Sequence, residues 1–336
     1  MKTKVLLVGI DGLVLSRALQ SGKAKTLAGL KDRSFFTEWK VNVPTLSGPS
    51  WSTLLTGATY DEHRVQDNSF VGHDLLNRPD LLSRAFYQDQ STTTFAAAGW
   101  PPLVDPVGHG PVIHQRKEQQ LAYKHFVVVR DGETYGYQGV DAEITDASVY
   151  SLENLGADVN FVYFCGIDEA GHAYGILGDE YLAAIERVDA HLTRLHSAIT
   201  TRAESLGEKW LLVMVTDHGH RDEGGHGGDT EQERASFVIA HGIGRDNPQW
   251  KLDIEPHHLT DLLLAERALR RKNLRIANQI LLGHLMARVT GETFITFTCE
   301  GSPGVLTSLS AGELSSNESA ILSMLETSEI FRTNSS

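Results

Sequence analysis

The sequence predicts an α/β fold: a central, mainly parallel sheet flanked by helices, with a small cap or insertion. Four short apolar runs, Lys4 to Ile10, Asp158 to Cys165, Trp210 to Thr216 and Ser236 to Ala240, are rich in Val, Ile, Leu and Phe and end at polar or glycine residues. Such runs are the pattern of parallel strands buried on both faces. Between the second and third, Leu182, Ile185, Val188, Leu192, Leu195 and Ile199 fall on one stripe of a helical period, with Glu186, Arg187 and Arg194 off it. Strand, helix and strand in succession make the crossover unit of a parallel sheet. A chain of 336 residues, 41% hydrophobic and 22% charged, is also long enough to bury a substantial core.

The segments between these elements are less regular. Residues 60–140 carry scattered His, Pro and Gly, with a hairpin expected over Val127 to Gly132, and read as a cap or insertion over the active edge of the sheet. Residues 1–265 are expected to form the catalytic domain. Residues 266–336, with Arg267, Arg270, Arg271, Lys272 and Arg275 on a helical stretch, are expected to form a C-terminal helical extension.

A net charge of −13 argues against a nucleic acid duplex as partner, since such binding draws on Lys and Arg contacts to phosphates. A small phosphorylated substrate is compatible with it, because bound cations supply positive charge locally. The two cysteines, Cys165 and Cys299, have no metal-binding spacing and read as reduced thiols. The apolar start of the chain is interrupted by Asp11 and Gly12 before a signal peptide is complete. No apolar run reaches the roughly 20 residues of a membrane span. The expectation is a cytoplasmic enzyme without a membrane partner.

Ligands of open α/β sheets gather at the carboxyl ends of the strands. Asp11 follows the first run, Asp168 and His172 the second, Asp217 and His218 the third, and His226 comes shortly after within Gly224-Gly225-His226-Gly227-Gly228. One such residue alone reads as a helix cap or turn former. The recurrence of carboxylate and imidazole at one edge, with glycines beside them, points instead to a metal site. Mixed oxygen and nitrogen donors suit zinc, manganese or iron better than calcium. Two divalent ions would leave the site positive after three aspartates, as an anionic phosphoryl group requires.

A nucleophile for that group belongs at a helix N-terminus, where free N–H groups favour an anion. Val43 to Gly57 supplies one, with Pro49 near the helix start and Gly57 past its end. Ser47 is the candidate nucleophile, and Thr45, Ser50 and Ser52 are its competitors. The alternative is that Ser47 only caps the helix.

Taken together, Asp11-Gly12, Pro44 to Pro49 with Leu55-Thr56-Gly57, Asp168-x-x-x-His172, Asp217-His218-Gly219 and His226-Gly227-Gly228 resemble the nucleotide pyrophosphatase/phosphodiesterase branch of the alkaline phosphatase superfamily. The resemblance implies an alkaline phosphatase-like fold and two zinc ions. It places one on Asp168, His172 and His226, and the other on Asp11, Ser47, Asp217 and His218. It further implies hydrolysis of a phosphodiester or nucleotide pyrophosphate through a phosphoseryl intermediate, with a phosphomonoester or phosphonate as the alternative. A side chain that helps bind the phosphoryl group is implied three residues after the nucleophile, which is Ser50 here. Ser47 to Trp51 also resembles the sulfatase signature, but Trp51 stands where that signature has Arg. A metal-binding homologue without catalysis is the remaining rival.

Overall fold

The computed structural model describes residues 2–268, together with 295–296 and 308–309. Seven strands form one sheet: β1 (Thr3–Ile10), β2 (Phe35–Lys40), β3 (Thr94–Ala98), β4 (His125–Val129), β5 (Val159–Phe164), β6 (Lys209–Val215) and β7 (Ala235–Ile243). Their order is β2-β7-β6-β1-β5-β3-β4. Neighbours from β6 through β4 run parallel, with Val8 opposite Val162 on one side and Met214 on the other. The central strand β1 is buried from Val5 to Asp11, which explains its unbroken apolar run.

All four strands expected from sequence are present, but the fourth is not parallel: β7 pairs antiparallel with β6 and with β2. The connection from Val215 to Ala235 holds only loop and a one-turn helix, Glu231–Arg234, too little for the crossover that a parallel neighbour needs. Residues 60–140 are also more than a cap, because they contribute β3 and the edge strand β4 to the sheet. The expected hairpin at Val127 to Gly132 is absent. Instead β4 lies parallel to β3, and the Asp131 side chain accepts a hydrogen bond from Thr134 N to start a helical turn, Gly132–Tyr135.

Four helices bear on the site: α1 (Ser47–Thr56), α2 (Tyr137–Asn154), α3 (Gly166–Tyr174) and α4 (Asp179–Leu206). The apolar stripe read from sequence lies in α4, where Ile185, Val188, Leu192, Leu195 and Ile199 are buried. They join one hydrophobic core, with Leu6, Val8 and Ile10, on one face of the sheet. A second core on the opposite face gathers Val5, Leu7, Trp51, Leu54 and Leu55. Helices thus cover both faces, as the alternation of strand side chains requires. The mixed, mostly parallel sheet between helices is the α/β architecture expected from sequence.

Residues 1–267 form one compact unit and 268–336 another. In the second, Ile295–Thr296 pairs antiparallel with Ser308–Leu309. The expected helical extension and Cys299 otherwise lie outside the described residues, while Cys165 is buried and free. No helix among the described residues is long and apolar enough to cross a membrane.

Candidate active site

Each strand end delivers its residue to one place. Asp11 is fully buried at the end of β1. Its Oδ2 accepts hydrogen bonds from Trp51 Nε1 at 2.8 Å and from the Tyr163 hydroxyl at 2.5 Å. Its other oxygen, Oδ1, accepts no hydrogen bond among the described residues, and neither does Asp217 Oδ2. Buried oxygens left without partners are costly, by roughly 1–3 kcal/mol each, unless something positive meets them.

The imidazoles are aimed by their own backbone contacts. His218 places Nδ1 3.2 Å from the Gly219 carbonyl, and His226 places Nδ1 2.6 Å from the Thr45 carbonyl. An Nδ1–H donated to a carbonyl leaves the Nε2 lone pair free to bind a metal. The two rings stack with centroids 3.7 Å apart. His218 Nε2 lies 3.5 Å from Asp11 Oδ1, 3.3 Å from Asp217 Oδ2 and 3.2 Å from Ser47 Oγ. Asp168 lies 3.5 Å from both His172 Nε2 and His226 Nε2, through different oxygens.

These spacings test whether the residues fit a cation. Zinc bonds of about 2.0–2.2 Å at tetrahedral angles leave neighbouring ligand atoms roughly 3.3–3.6 Å apart, close to the 3.2–3.5 Å separations just given, with His172 Nε2 and His226 Nε2 nearer at 2.9 Å. Two groups have ligand atoms within reach of one ion, Asp168 with His172, His220 and His226, and Asp11 with Asp168 and His218.

The electrostatics agree. Burial, then the charge of Asp168, pushes the Asp11 carboxyl up to about 8, although Tyr163 and Trp51 pull it down. Burial, then Asp11 and Asp168, pushes Asp217 well above the carboxylate range. Burial also opposes ionisation of Asp168, but a hydrogen bond from His220 and the nearby imidazoles hold it below that range. Burial, then His226, drives His218 well below the usual histidine value, so its ring is neutral. The carboxyls of Asp11 and Asp217, which resist ionisation beside the neutral ring of His218, form a cluster that a cation relieves.

Ser47 is the first residue of α1, which Leu46 precedes without a side-chain cap bond, and Gly57 closes it at φ 77°. Ser47 therefore does not serve as the cap; its hydroxyl faces His218. The competitors are engaged elsewhere. Thr45 Oγ1 donates to Gly228 O and accepts from Gly227 N, while Ser52 donates to Gly48 O. Ser50 does not line the cavity beside Ser47, because its hydroxyl sits 2.8 Å from that of Tyr60 in the interior. Asn68 is there instead, its Oδ1 accepting from Gly48 N at 2.8 Å, which leaves the amide hydrogens uncommitted.

Seven sequence-derived residues thus converge: Asp11, Ser47, Asp168, His172, Asp217, His218 and His226. Of these, Ser47, Asp168, His172 and His226 line a cavity of about 470 Å³ that Trp100, Tyr137, Glu133 and Glu169 also line, with no Lys or Arg among its lining residues. Trp100 Nε1 donates to Glu133 Oε1 at 3.1 Å. Elsewhere in residues 60–140, Arg116 is buried against Ser83, Thr94 and His125, and His114 bonds the Leu75 carbonyl. Sequence reasoning missed Asn68, Glu133, Tyr137 and His220. For His220 alone a signal existed, in the motif Asp217-His218-Gly219-His220.

The family model described as type I phosphodiesterase / nucleotide pyrophosphatase matches residues 5–231. Curated relatives include GPI ethanolamine phosphate transferase 1 of Yarrowia lipolytica, 25% identical over 267 residues, which are 74% of this chain and 27% of that protein. The mouse (Mus musculus) protein of the same name is 29% identical over 154 residues, 46% of this chain and 16% of that one. The chain therefore spans about a quarter or less of these relatives. Among solved structures, BT1596, a 2-O GAG sulfatase, superposes with a TM-score of 0.57 at 15% identity, covering 80% of this chain and 71% of that one.

Proposed function

The chain belongs to the type I phosphodiesterase / nucleotide pyrophosphatase family, and from that premise we propose that it cleaves phosphodiesters through a phosphoseryl intermediate on Ser47. Two divalent cations, zinc foremost, would be held by Asp168, His172 and His226 and by Asp11, Ser47, Asp217 and His218. When bound, they supply the positive charge that favours an ionised serine and offsets that of the phosphoryl oxygens. The observation that carries the reading is the Ser47 hydroxyl, at a helix N-terminus and 3.2 Å from His218 Nε2, which also faces carboxylate oxygens of Asp11 and Asp217 that accept no hydrogen bond.

Ser47 Oγ attacks phosphorus, the bond to the leaving alcohol breaks, and the phosphoryl group with its remaining substituent stays on the serine. Water then displaces Ser47, releasing a phosphomonoester. Asn68 donates its amide hydrogens to a non-bridging oxygen, the part assigned from sequence to Ser50, and the N–H groups at the start of α1 add to it. Ser47→Ala is expected to abolish turnover of bis(4-nitrophenyl) phosphate with metal content retained; residual turnover within tenfold of wild type refutes the serine nucleophile. A tenfold preference for 4-nitrophenyl phosphate would replace the diesterase reading with a monoesterase one.

A second reading keeps the intermediate and changes the acceptor. The curated relatives are named as ethanolamine phosphate transferases, and the indole of Trp100 beside the carboxylates of Glu133 and Glu169 suits a small ammonium group. An alcohol would then take the place of water. An ethanolamine phosphodiester assayed with and without an added alcohol separates the two, because transfer yields a new diester and hydrolysis only phosphoethanolamine.

A further inference from the structure

Of the imidazoles of His172, His220 and His226, only that of His220 hydrogen-bonds the Asp168 carboxylate. Its Nε2 lies 2.7 Å from Asp168 Oδ1, whereas His172 and His226 each stand 3.5 Å from an oxygen of Asp168. The longer separation is what two ligands of one zinc ion leave between them. The shorter is a direct charge-assisted hydrogen bond, for which about 2.7–2.9 Å is usual. We propose that His220 is a positioning residue for the metal site: it donates Nε2–H to Asp168 Oδ1 and fixes the rotation of that carboxylate rather than binding the ion itself. The inference rests on the two-cation reading above.

The surroundings are built to hold this ring. His220 is fully buried. A Cβ on Gly12 would stand 2.6 Å from His220 Nε2 and 2.7 Å from Asp168 Oδ1, and one on Gly171 would stand 2.9 Å from His220 Cε1 and Nε2. Glycines from two separate metal-ligand motifs therefore leave the space that the imidazole and its bond to Asp168 occupy. Its Nδ1 has no partner among the described residues, so the proton sits on Nε2, where the carboxylate accepts it. The ring meets those of His172 and His226 edge-on, with centroids 5.1 and 5.0 Å away and interplanar angles of 80° and 81°. A residue that turns a ligand carboxylate in this way typically contributes 10–100-fold to metal affinity.

The test compares His220→Leu, which fills the space without a donor, with His220→Gln, whose amide can still donate. The full chain is stripped with a chelator and titrated with Zn(II) by competition, then with Co(II), whose d–d spectrum reports the nitrogen donors. Wild-type protein is read first; no cation uptake there would overturn the metal reading itself, independently of any variant. His220→Leu is expected to bind one of two equivalents about 10–100-fold more weakly, with the other unchanged, and His220→Gln to recover most of that loss with a wild-type Co(II) spectrum. Unchanged Zn(II) affinity in His220→Leu overturns the proposal. So does a Co(II) spectrum of His220→Gln that has lost a nitrogen donor, since His220 would then be a ligand. If the Leu variant does not fold, the spectrum of the Gln variant decides alone.

Discussion

Gly9 on β1 exists for the sake of Trp51. A Cβ at this position would lie 2.5 Å from Trp51 Cη2, 2.8 Å from Cζ3 and 3.3 Å from Phe161 Cε2. In Gly9→Ala the indole must retreat by about 1 Å to reach the roughly 3.5 Å of an ordinary carbon–carbon contact. Overpacking of that kind costs about 1–3 kcal/mol. The retreat also draws Nε1 away from Asp11 Oδ2, now 2.8 Å distant. Trp51→Phe removes the two colliding atoms together with the N–H, at a cost of about 2–3 kcal/mol in lost volume and hydrogen bonding. Because the clash needs both the methyl and the indole, the double variant should be little less stable than Trp51→Phe alone. The coupling is about 2 kcal/mol in its favour, well above the 0.3–0.5 kcal/mol scatter of independent sites, or roughly 3–4 °C in Tm. Thermal and urea unfolding of the four chelator-treated proteins measure it with metal loss out of the cycle. Additive effects would mean that Trp51 does not stand against β1 as described, and the hold on Asp11 would lose its basis.

Asn68→Ala should lower kcat/KM for a diester by about 10²–10³, the range for loss of one donor to a developing oxyanion, and Ser50→Ala by less than tenfold. Steady-state kinetics that rank them the other way would return the role to Ser50. Burial depresses His63 to about 4, and burial with the neighbouring Arg116 depresses His125 to about 4, against about 6.5 for a free imidazole. Both take up protons more readily when unfolded, so their stabilisation is full above pH 6.5 and falls as the pH drops toward 4, by on the order of 3 kcal/mol each. Tm measured from pH 7 to 4.5 should fall less steeply in His63→Gln, and equal slopes would contradict this. Gly166→Ala places a Cβ 2.8 Å from Asp141 Oδ2, which accepts the Gly166 N–H that begins α3. About 1–3 kcal/mol of stability should be lost in denaturant unfolding, and a change under 0.5 kcal/mol would contradict the capping role of Asp141.

What was legible in the sequence follows from period and position. The core strands β1, β5 and β6 stood out because burial on both faces removes polar residues from the run. β3 did not, since Thr94–Ala98 is mostly alanine, and β2 alternates at an edge beside β7. β4 was visible, but its pairing was not: Asp131-Gly132 signals a turn, and whether a turn closes a hairpin or opens a helix depends on what packs against it. The metal-ligand candidates were legible because each follows a strand. Side chains that act across long separations were not. Trp51 reaches Asp11 over 40 positions and His220 reaches Asp168 over 52, distances over which no local pattern operates. Ser50 was misplaced for the reverse reason: three positions along a helix turn a side chain most of the way round, and here it meets Tyr60.

Metal analysis of the purified chain, two single variants and their double variant tests the central claim most directly. After dialysis, wild type should retain two equivalents of a divalent cation by elemental analysis, Asp168→Ala one, Asp217→Ala one, and the double variant none. Two equivalents in Asp168→Ala, or none in wild type under any loading, would contradict it.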